Sequence, residues 1–405
     1  MMDPYKGVRD FYPEDQRVQN HMFAALRRTA ESFGYDEYNA SILEPSELYA
    51  AKSSDEIVNE QTYTFEDRGG RSVTLRPEMT PTVARMVANR KRELGYPLRW
   101  YCIQNFFRYD RQQRGRLREF WQFNVDLFGV PVIEADAEVI EIAYRSLTAL
   151  GVSPEDFVLK IGSRVALQEA FDKAGLTDEA RKRMRILLDK RAKISQEEFL
   201  QERQAITAEP IEDMLGSAPS VMALLELLKE RDVHVEYDPS IVRGFDYYTD
   251  IVFEAFDRDP QNARSILGGG RYDSLVEKYG SEPVHAVGFA MGDVVLRDFL
   301  ETHHKLPTLP SSAHLYLAAL PGSESAARTA VQTLRDTGVN VALGMKHEKV
   351  SDHIRNAAKL GIPYIAIYGE NEATSGELAL KNLHSGTETR IAVHLVHAFI
   401  LGTKA

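Results

Sequence analysis

Two strand-like segments joined by a polar turn constrain the fold of this 405-residue chain more than any other feature. Residues 98–108 and 118–129 are rich in aromatic side chains, and the connecting residues 110–117 are polar and include a glycine. Runs of this kind around a glycine-containing turn are typical of two paired strands. We therefore expect a β-sheet that contains this strand pair.

The second of these strands separates its side chains by polarity. Because side chains alternate along a strand, one face carries only polar groups: Gln122, Asn124 and Asp126. The opposite face carries Trp121, Phe123, Val125 and Leu127, which is the composition of a core face. A polar row on a strand that is buried on its back suits the floor of a polar ligand pocket.

The turn between the strands is strongly basic. The stretch "FFRYDRQQRGRLREFWQFNVD" places five arginines among six aromatic rings, although the formal net charge of the chain is −11. Arginine suits phosphate because its planar fork donates two parallel hydrogen bonds, and Gly115 would let the turn close over an anion. A solvated hairpin tip with a few salt bridges is the equally simple alternative.

Composition limits the class of protein. With 43% hydrophobic and 27% charged residues, the chain has the composition of a globular protein of two to four domains. Its pI near 5.6 argues against non-specific coating of nucleic acid, but not against a local basic site. The single cysteine, Cys102, fits a reducing compartment. No run approaches the ~18 apolar residues of a membrane helix, and the N-terminus lacks a signal peptide, so we expect a cytoplasmic protein without membrane contact.

Periodicity supplies a coarse map of the remaining chain. Apolar residues recur every three to four positions over residues 15–33, which predicts an amphipathic helix ending at Gly34. "SVTLRPE" alternates as a strand, and Thr80 with Pro81 predicts an N-cap and first turn. Residues 163–233 have a helical texture, and strands return at "IVFEAF" and "SILGGGRYD". After a Pro/Ser-rich linker, strand–helix alternation predicts a small parallel or mixed α/β domain.

Three further motifs combine polar residues with glycine or proline. "RGFDYYTD" (243–250) suits either the binding of a flat, weakly basic ring or an edge turn with surface tyrosines. "LGGGRYD" (267–273) suits either close approach to a ligand or a tight strand-to-helix connection, and it is not a Walker loop. In "LRPEMTP" (75–81), Glu78 and the Thr80 hydroxyl would hold an ammonium group, or they serve only as a helix cap and first-turn acid.

Together these segments resemble the class II aminoacyl-tRNA synthetases, and within them the histidyl-tRNA synthetase family. "KGVRDFYPED" resembles the family's N-terminal signature, "GYDEYNASILEPSELY" its first class motif, and "FFRYDRQQRGRLREFWQFNVDLFG" its second. "RGFDYYTDIVFEA" is similar to the histidine-specific motif, and "GGGRYDSL", "AVGFAMG" and "KLGIPYIAIYGENE" follow in the family's order. The resemblance runs nearly end to end.

The resemblance implies a histidine–tRNA ligase that uses ATP with Mg²⁺ and tRNA(His). Arg108 and Arg243 would act at the reacting phosphate and are the implied catalytic residues. The implied histidine site comprises Glu78, Thr80, Arg108, Gln122, Asp126, Arg243, Tyr247 and Tyr248. Arg108, Asp110, Arg116 and Gly270 would bind ATP, with Asp110 as a possible indirect contact of Mg²⁺ and no certain metal ligand. Arg111, Gln113 and Arg114 would meet the acceptor end of the tRNA.

The third class motif departs from the family pattern. The family usually carries an arginine that contacts the adenine or the γ-phosphate, whereas "GFAMGDVVLRDFL" has Val295 at that position. Arg297 is two residues further along, which on a helix rotates its side chain by about 200°, so it should face away. An impaired relative remains the alternative: a regulatory subunit of ATP phosphoribosyltransferase, or a sensor of histidine or tRNA.

The resemblance also implies the architecture. We expect an α+β catalytic domain built on an antiparallel sheet of six or seven strands with flanking helices. Its first part would span 1–163 and its second 234–304, separated by a helical insertion at 164–233. A linker at 305–313 would lead to an anticodon-binding α/β domain at 314–405. The first class motif, which includes Pro45, implies a homodimer.

Overall fold

The computed structural model describes residues 2–50, 61–110, 113–191, 194–207, 211, 218–241, 243, 247–260, 262, 264–345 and 349–402. The chain divides into two compact units, Met1–Leu306 and Pro307–Ala405. The predicted boundaries of the insertion and linker remain predictions.

The first unit alternates helices and strands. In chain order its elements are α1 (Pro13–Ser32), β1 (Asp36–Glu37), β2 (Leu43–Pro45), α2 (Glu47–Ala50), β3 (Tyr63–Glu66), β4 (Ser72–Leu75), α3 (Thr80–Arg90), β5 (Leu98–Phe107), β6 (Glu119–Phe128), α4 (Glu134–Thr148), β7 (Phe157–Ser163), α5 (Arg164–Lys173), α6 (Asp178–Lys190), α7 (Gln196–Gln204), α8 (Pro219–Glu230), β8 (Glu236–Tyr237), β9 (Ile251–Asp257), β10 (Ser265–Arg271), β11 (Ala286–Gly292) and α9 (Asp293–Thr302), with a 3₁₀ turn at Val276–Tyr279.

An eight-stranded sheet organises this unit, in the order β1-β5-β6-β11-β10-β9-β7-β8. The six inner strands, β5 to β7 in this order, run antiparallel to one another, as expected. The expectation of six or seven strands was too low, because β1 and β8 add two-residue parallel edges. Such short edges limit the backbone left open for pairing with another chain. A separate small sheet has the order β2-β4-β3.

The expected strand pair is β5 and β6, and its register places Gln104 opposite Gln122 and Trp100 opposite Asp126. The apolar face of β6 enters the main core with α1, α4, α8 and α9, as the alternation predicts. Helix α1 buries Met22 and Leu26 there and is followed by Gly34, whose φ of +80° ends the helical path.

Helix α3 begins one residue earlier than the capping pattern predicts. Thr80 is its first residue and Met79 precedes it as the N-cap without a capping side chain. The N-cap role of Thr80 was therefore wrong, and the hydroxyl is left to face the interior of the unit. Between β7 and β8 the described residues are mainly helical, as expected. Helices α5–α7 share a small core around Phe171, whereas α8 packs on the main core.

The second unit is a mixed α/β fold, in agreement with the alternation seen in the sequence. Its elements are β12 (Leu315–Ala319), α10 (Glu324–Asp336), β13 (Val341–Gly344), α11 (Val350–Lys359), β14 (Tyr364–Tyr368), α12 (Glu370–Ser375), β15 (Glu377–Asn382), β16 (Glu388–Ala392), a 3₁₀ turn (Val393–Leu395) and α13 (Val396–Leu401). The sheet order is β13-β12-β14-β15-β16, with the first three strands parallel. Leu317 and Leu334 lie in its own core. No helix in the described part of either unit is long and apolar enough to cross a membrane.

Candidate active site

A cleft of about 1640 Å³ lies over the polar face of the central strands in the first unit. Gln122, Asn124 and Asp126 of β6 line it, as the alternation of that strand predicts. Asn124 and Asp126 are buried. The same cleft contains Glu78, Thr80, Arg108, Asp110, Gln113, Arg114, Arg116, Arg243, Tyr247 and Tyr248, so the fold gathers most of the expected site residues.

One part of the cleft is acidic and phenolic. Glu78, two residues before the start of α3, is buried, and the Tyr247 hydroxyl donates to its Oε2 at 3.3 Å. The ring centroids of Tyr247 and Tyr248 are 4.8 Å apart, and Tyr272 meets Tyr247 edge-on at 5.9 Å. Carboxylate and hydroxyl oxygens beside stacked rings suit an ammonium group and a flat basic ring.

Asp126 is the second acid of this region. It is 4% exposed, and the Tyr272 hydroxyl donates to its Oδ1. Burial raises the pKa of Asp126 to about 7, although the hydrogen bond from Tyr272 acts in the opposite direction. Gly288 on β11 makes room for this carboxylate, since a Cβ there would lie 2.3 Å from Asp126 Oδ1. The residue is thus a buried acid close to its protonation midpoint at neutral pH.

Arg108 follows β5 and holds a defined position. Its Nε donates to the Pro77 carbonyl at 2.8 Å, and its guanidinium lies 5.2 Å from the centroid of the Phe120 ring. Burial lowers the pKa of Arg108, while Glu78 and Asp110 act against that shift. Arginine remains protonated at neutral pH, so the cleft keeps a fixed cation at this point.

Arg243 is held from two sides. Its backbone adopts a left-handed φ of +51°, and its Nη1 pairs with Glu254 on β9. Burial opposes charge on Arg243, but Glu254 and Tyr248 hold its pKa above the ordinary value. A Cβ on Gly268 would lie 2.1 Å from Arg243 Nη1. The guanidinium therefore lies against the bare backbone of β10.

The glycines of "LGGGRYD" are explained by this packing. They lie inside β10, so the strand interpretation is correct and the alternative of a strand-to-helix turn is wrong. Gly268 makes room for Arg243, whereas a Cβ on Gly270 would meet the Tyr248 ring at 2.8 Å. Gly268 lines the cleft and Gly270 does not. The Tyr248 ring lies close to Gly270, and the assignment of Gly270 to ATP remains a prediction.

The charged residues of the basic turn differ in their ion-pair partners and in their exposure. Asp110 Oδ1 lies 3.7 Å from Arg116 Nη1, and both residues line the cleft. Arg114 Nε is 2.9 Å from Asp298 Oδ2 on α9, with half of the Arg114 side chain exposed. The backbones of Gln113 and Arg116 pair in an isolated antiparallel β-bridge. Arg111 lies outside the described residues.

Arg118 belongs to the scaffold rather than to the cleft. Its guanidinium lies 3.9 Å from the centroid of the Tyr109 ring, and its Nη1 is 3.0 Å from the Tyr5 hydroxyl. Its backbone N–H donates to Gly7. The hydrogen bond to Gly7 ties the "KGVRD" segment to Arg118, the residue directly before β6.

Val295 and Arg297 lie as the helical geometry predicts. Val295 lines the cleft and packs against the main core. Arg297 points away from it and pairs with Asp15 and Glu301, each at 2.9 Å.

Sequence reasoning missed several cleft residues. Glu254 was detectable as the single acid within the first six residues of β9, "IVFEAF", and Tyr272 lies within a quoted motif. Arg264, Lys160 and Asp238 carry no local signal, because only the register of distant strands brings them to the cleft. Among the described residues, no group of three or more His, Cys, Asp or Glu side chains could hold a metal ion.

Comparison with known proteins agrees with this architecture. A family model for histidyl-tRNA synthetase matches residues 7–209 and 192–293, and a model for an anticodon binding domain matches 317–403. The histidine–tRNA ligase of Leptospira biflexa is 37% identical over 94% of this chain and 93% of its own length. That of Thermococcus kodakarensis is 34% identical over 96% of each chain. The crystal structure of histidyl-tRNA synthetase from Nostoc shares the fold, with a TM-score of 0.82, 22% identity and 99% coverage of each chain.

An antiparallel sheet with a polar cleft on one face, flanked by helices and followed by an anticodon-binding unit, defines a class II aminoacyl-tRNA synthetase. Within that class, the chain belongs to the histidyl-tRNA synthetase family.

Proposed function

We infer that this chain is a histidine–tRNA ligase, which activates L-histidine with ATP and transfers it to the 3′ end of tRNA(His). The convergence of two buried acids, Glu78 and Asp126, with two arginines, Arg108 and Arg243, in one cleft carries this inference. The acids suit the cationic and imidazole parts of histidine. The arginines suit the carboxylate of histidine and the α-phosphate of ATP, which must come together in the reaction.

In the amino-acid pocket, Glu78 and Thr80 hold the α-amino group of histidine. Gln122 and Asp126 complete the pocket from the floor of the sheet, while Tyr247 and Tyr248 lie on the imidazole side. The hydrogen bond between Tyr247 and Glu78 supports this assignment because it fixes the acid before the ligand arrives.

In the first step, a carboxylate oxygen of histidine attacks the α-phosphorus in line, and the bond to pyrophosphate breaks as the new P–O bond forms. Arg108 bridges the carboxylate and the α-phosphate, and Arg243 stabilises the negative charge that develops there. Orientation and charge neutralisation carry most of such a phosphoryl transfer. In the second step, the terminal ribose hydroxyl of the tRNA attacks the adenylate carbonyl and AMP leaves.

The nucleotide extends from Arg108 toward Asp110 and Arg116. A Mg²⁺ ion bound to the ATP phosphates would neutralise part of their charge, and Asp110 is the residue that would contact it indirectly. Arg111, Gln113 and Arg114 serve the acceptor end of the tRNA, and the second unit serves the anticodon. We further propose a cytoplasmic homodimer formed through the first class motif, a stoichiometry that sedimentation equilibrium would test.

The regulatory-subunit alternative, like the sensor alternative, is not favoured. Curated histidine–tRNA ligases align with the chain over nearly its full length, including the anticodon-binding unit. The anticodon-binding unit argues against the regulatory subunit, which has no tRNA to bind, and the exchange experiment below separates a ligase from a sensor.

The deciding experiment measures exchange of labelled pyrophosphate into ATP. We expect exchange that depends on histidine and charging that depends on tRNA(His). Histidine binding without any exchange would overturn the enzyme assignment and favour a sensor. Arg243→Ala should lower the exchange rate far more than the affinity for histidine, since its proposed contact strengthens in the transition state.

A further inference from the structure

Arg264 occupies a distinctive place in the cleft. It directly precedes β10 and lies across the basic turn, where a Cβ on Gly115 would be 2.8 Å from its Cδ and 3.4 Å from its Nε. The same position would be 3.4 Å from Val295 Cγ2. The stem of Arg264 and the Val295 side chain therefore both lie against Gly115, and both side chains line the cleft.

The charge of Arg264 is not balanced by a direct partner. Within the part of the chain that the structure describes, the Arg264 side chain has no hydrogen bond or ion pair. This holds although the sequence has more acidic residues, 60, than basic ones, 49. Burial and the nearby Arg116 both lower the pKa of Arg264, and Asp110 offsets this in part. The Asp110 carboxylate itself pairs with Arg116. This part of the cleft thus has two guanidinium groups for one carboxylate.

Three other arginines in or near the cleft each have an acidic partner. Arg114 pairs with Asp298, Arg243 with Glu254, and Arg297 with Asp15 and Glu301. An excess cation that is half-buried and faces a cleft is costly unless an anion joins it. Two adjacent guanidinium forks match the several oxygens of a polyphosphate.

Hydrogen bonds hold two residues between β9 and Arg264. The Asp257 carboxylate accepts from the Asp259 backbone N–H at 2.8 Å and from Asn262 Nδ2 at 3.0 Å. His303 Nε2 lies 2.8 Å from the same carboxylate. These bonds fix Asp259 and Asn262 beside the end of β9, ahead of Arg264 in the chain.

We propose that Arg264, together with Arg116, binds the terminal phosphates of ATP, and that Arg264 supplies, from the position directly before β10, the cation that Val295 does not supply from α9. The proposal rests on the ligase function, because it presupposes ATP in this cleft. Arg108 and Arg243 lie with the acids and tyrosines of the histidine pocket, which leaves the Arg116–Arg264 region for the far end of the triphosphate.

The test compares ATP with AMP, since only ATP carries the phosphates in question. Arg264→Met keeps the aliphatic stem over Gly115 but removes the charge. By calorimetry, we expect its affinity for ATP to fall about 10- to 100-fold, while its affinities for AMP and histidine stay within about twofold of those of the unchanged chain. Arg264→Lys should recover part of the loss, because a point charge remains without the fork.

Arg297→Met is the matched control, since it removes an arginine near Val295 that faces away from the cleft; its ATP affinity should not change. Equal weakening of ATP and AMP, or unchanged ATP binding, would overturn the proposal. Weaker tRNA binding with unchanged ATP binding would assign Arg264 to the tRNA and also overturn it. Failure of the ligase function would appear separately, as ATP binding without histidine-dependent exchange, and the comparison of ATP with AMP would still be readable.

Discussion

At the scale of single residues, the cleft contains an acid that is costly to ionise. Asp126 is buried under the tyrosines, with the Tyr272 hydroxyl as a donor and without an ion pair among the described residues. Its raised pKa indicates that the folded protein stabilises the protonated form relative to water. In the proposed histidine site, a bound cationic group would remove this cost.

Asp126→Asn should therefore increase the stability of the ligand-free protein at high pH. With a folded pKa of about 7 and an unfolded value near 4, the unchanged chain loses stability as pH rises from about 4 to about 7. The variant lacks this loss, so its advantage in free energy of unfolding should grow across that window to about 1–4 kcal/mol at pH 8. Urea unfolding at pH 5 and pH 8 measures it.

The same variant should lose histidine-dependent exchange, because an amide does not neutralise a cationic ligand. Stability that differs from that of the unchanged chain by equal amounts at pH 5 and pH 8 would contradict the proposed cause.

At the scale of elements, the packing of the site depends on three consecutive glycines in β10. Gly268 and Gly270 lie on one face, against Arg243 and Tyr248, and Gly269 lies on the other, where a Cβ would meet Phe253 at 2.6 Å. Glycine in a strand interior sacrifices packing and chain entropy. Here it allows two site side chains to lie directly on the backbone of the sheet.

Gly268→Ala should therefore displace Arg243 and impair adenylation. Its Cβ would lie 2.5 Å from Arg243 Cζ, so the guanidinium must move from its place beside Glu254. We expect the kcat of pyrophosphate exchange to fall on the order of 100-fold, as when a donor to a transition-state charge is lost. Gly95→Ala, whose Cβ would meet nothing within 4 Å, is the matched control. A fall that appears only in the KM for histidine would argue against the mechanism.

At the scale of the whole molecule, each compact unit has a hydrophobic core of its own. The main core of the first unit surrounds β6 and β11, and that of the second surrounds β12 and α10. The proposed adenylation residues all belong to the first unit, whereas the match to an anticodon-binding domain lies in the second.

A chain that ends at Leu306 should therefore fold and retain histidine-dependent exchange, but charge tRNA(His) poorly. Loss of the second binding unit should reduce kcat/KM for tRNA on the order of 100-fold, since linked binding sites raise overall affinity by such factors. Circular dichroism and the two assays in parallel test this. Equal losses of exchange and charging would contradict the assignment of adenylation to the first unit alone.

Local physics explains what could be predicted from sequence at each of these scales. Alternation along β6 placed Gln122 and Asp126 on the polar face, and helical rotation turned Arg297 away from Val295. These predictions depend on the chain within a few residues. The motifs, through their resemblance to one family, also indicated the fold and the ligase chemistry before any contact was known.

The sequence by itself determined the class of fold, the faces of the strands and a set of expected site residues that mostly line the cleft, because strand and helix periods act locally and the motifs are specific. The tertiary structure alone decided which charges meet: Glu254 with Arg243, Asp298 with Arg114, and Arg264 beside Arg116. It also decided that the Tyr248 ring lies close to Gly270. Such pairings depend on the register of strands far apart in sequence, which no local pattern encodes.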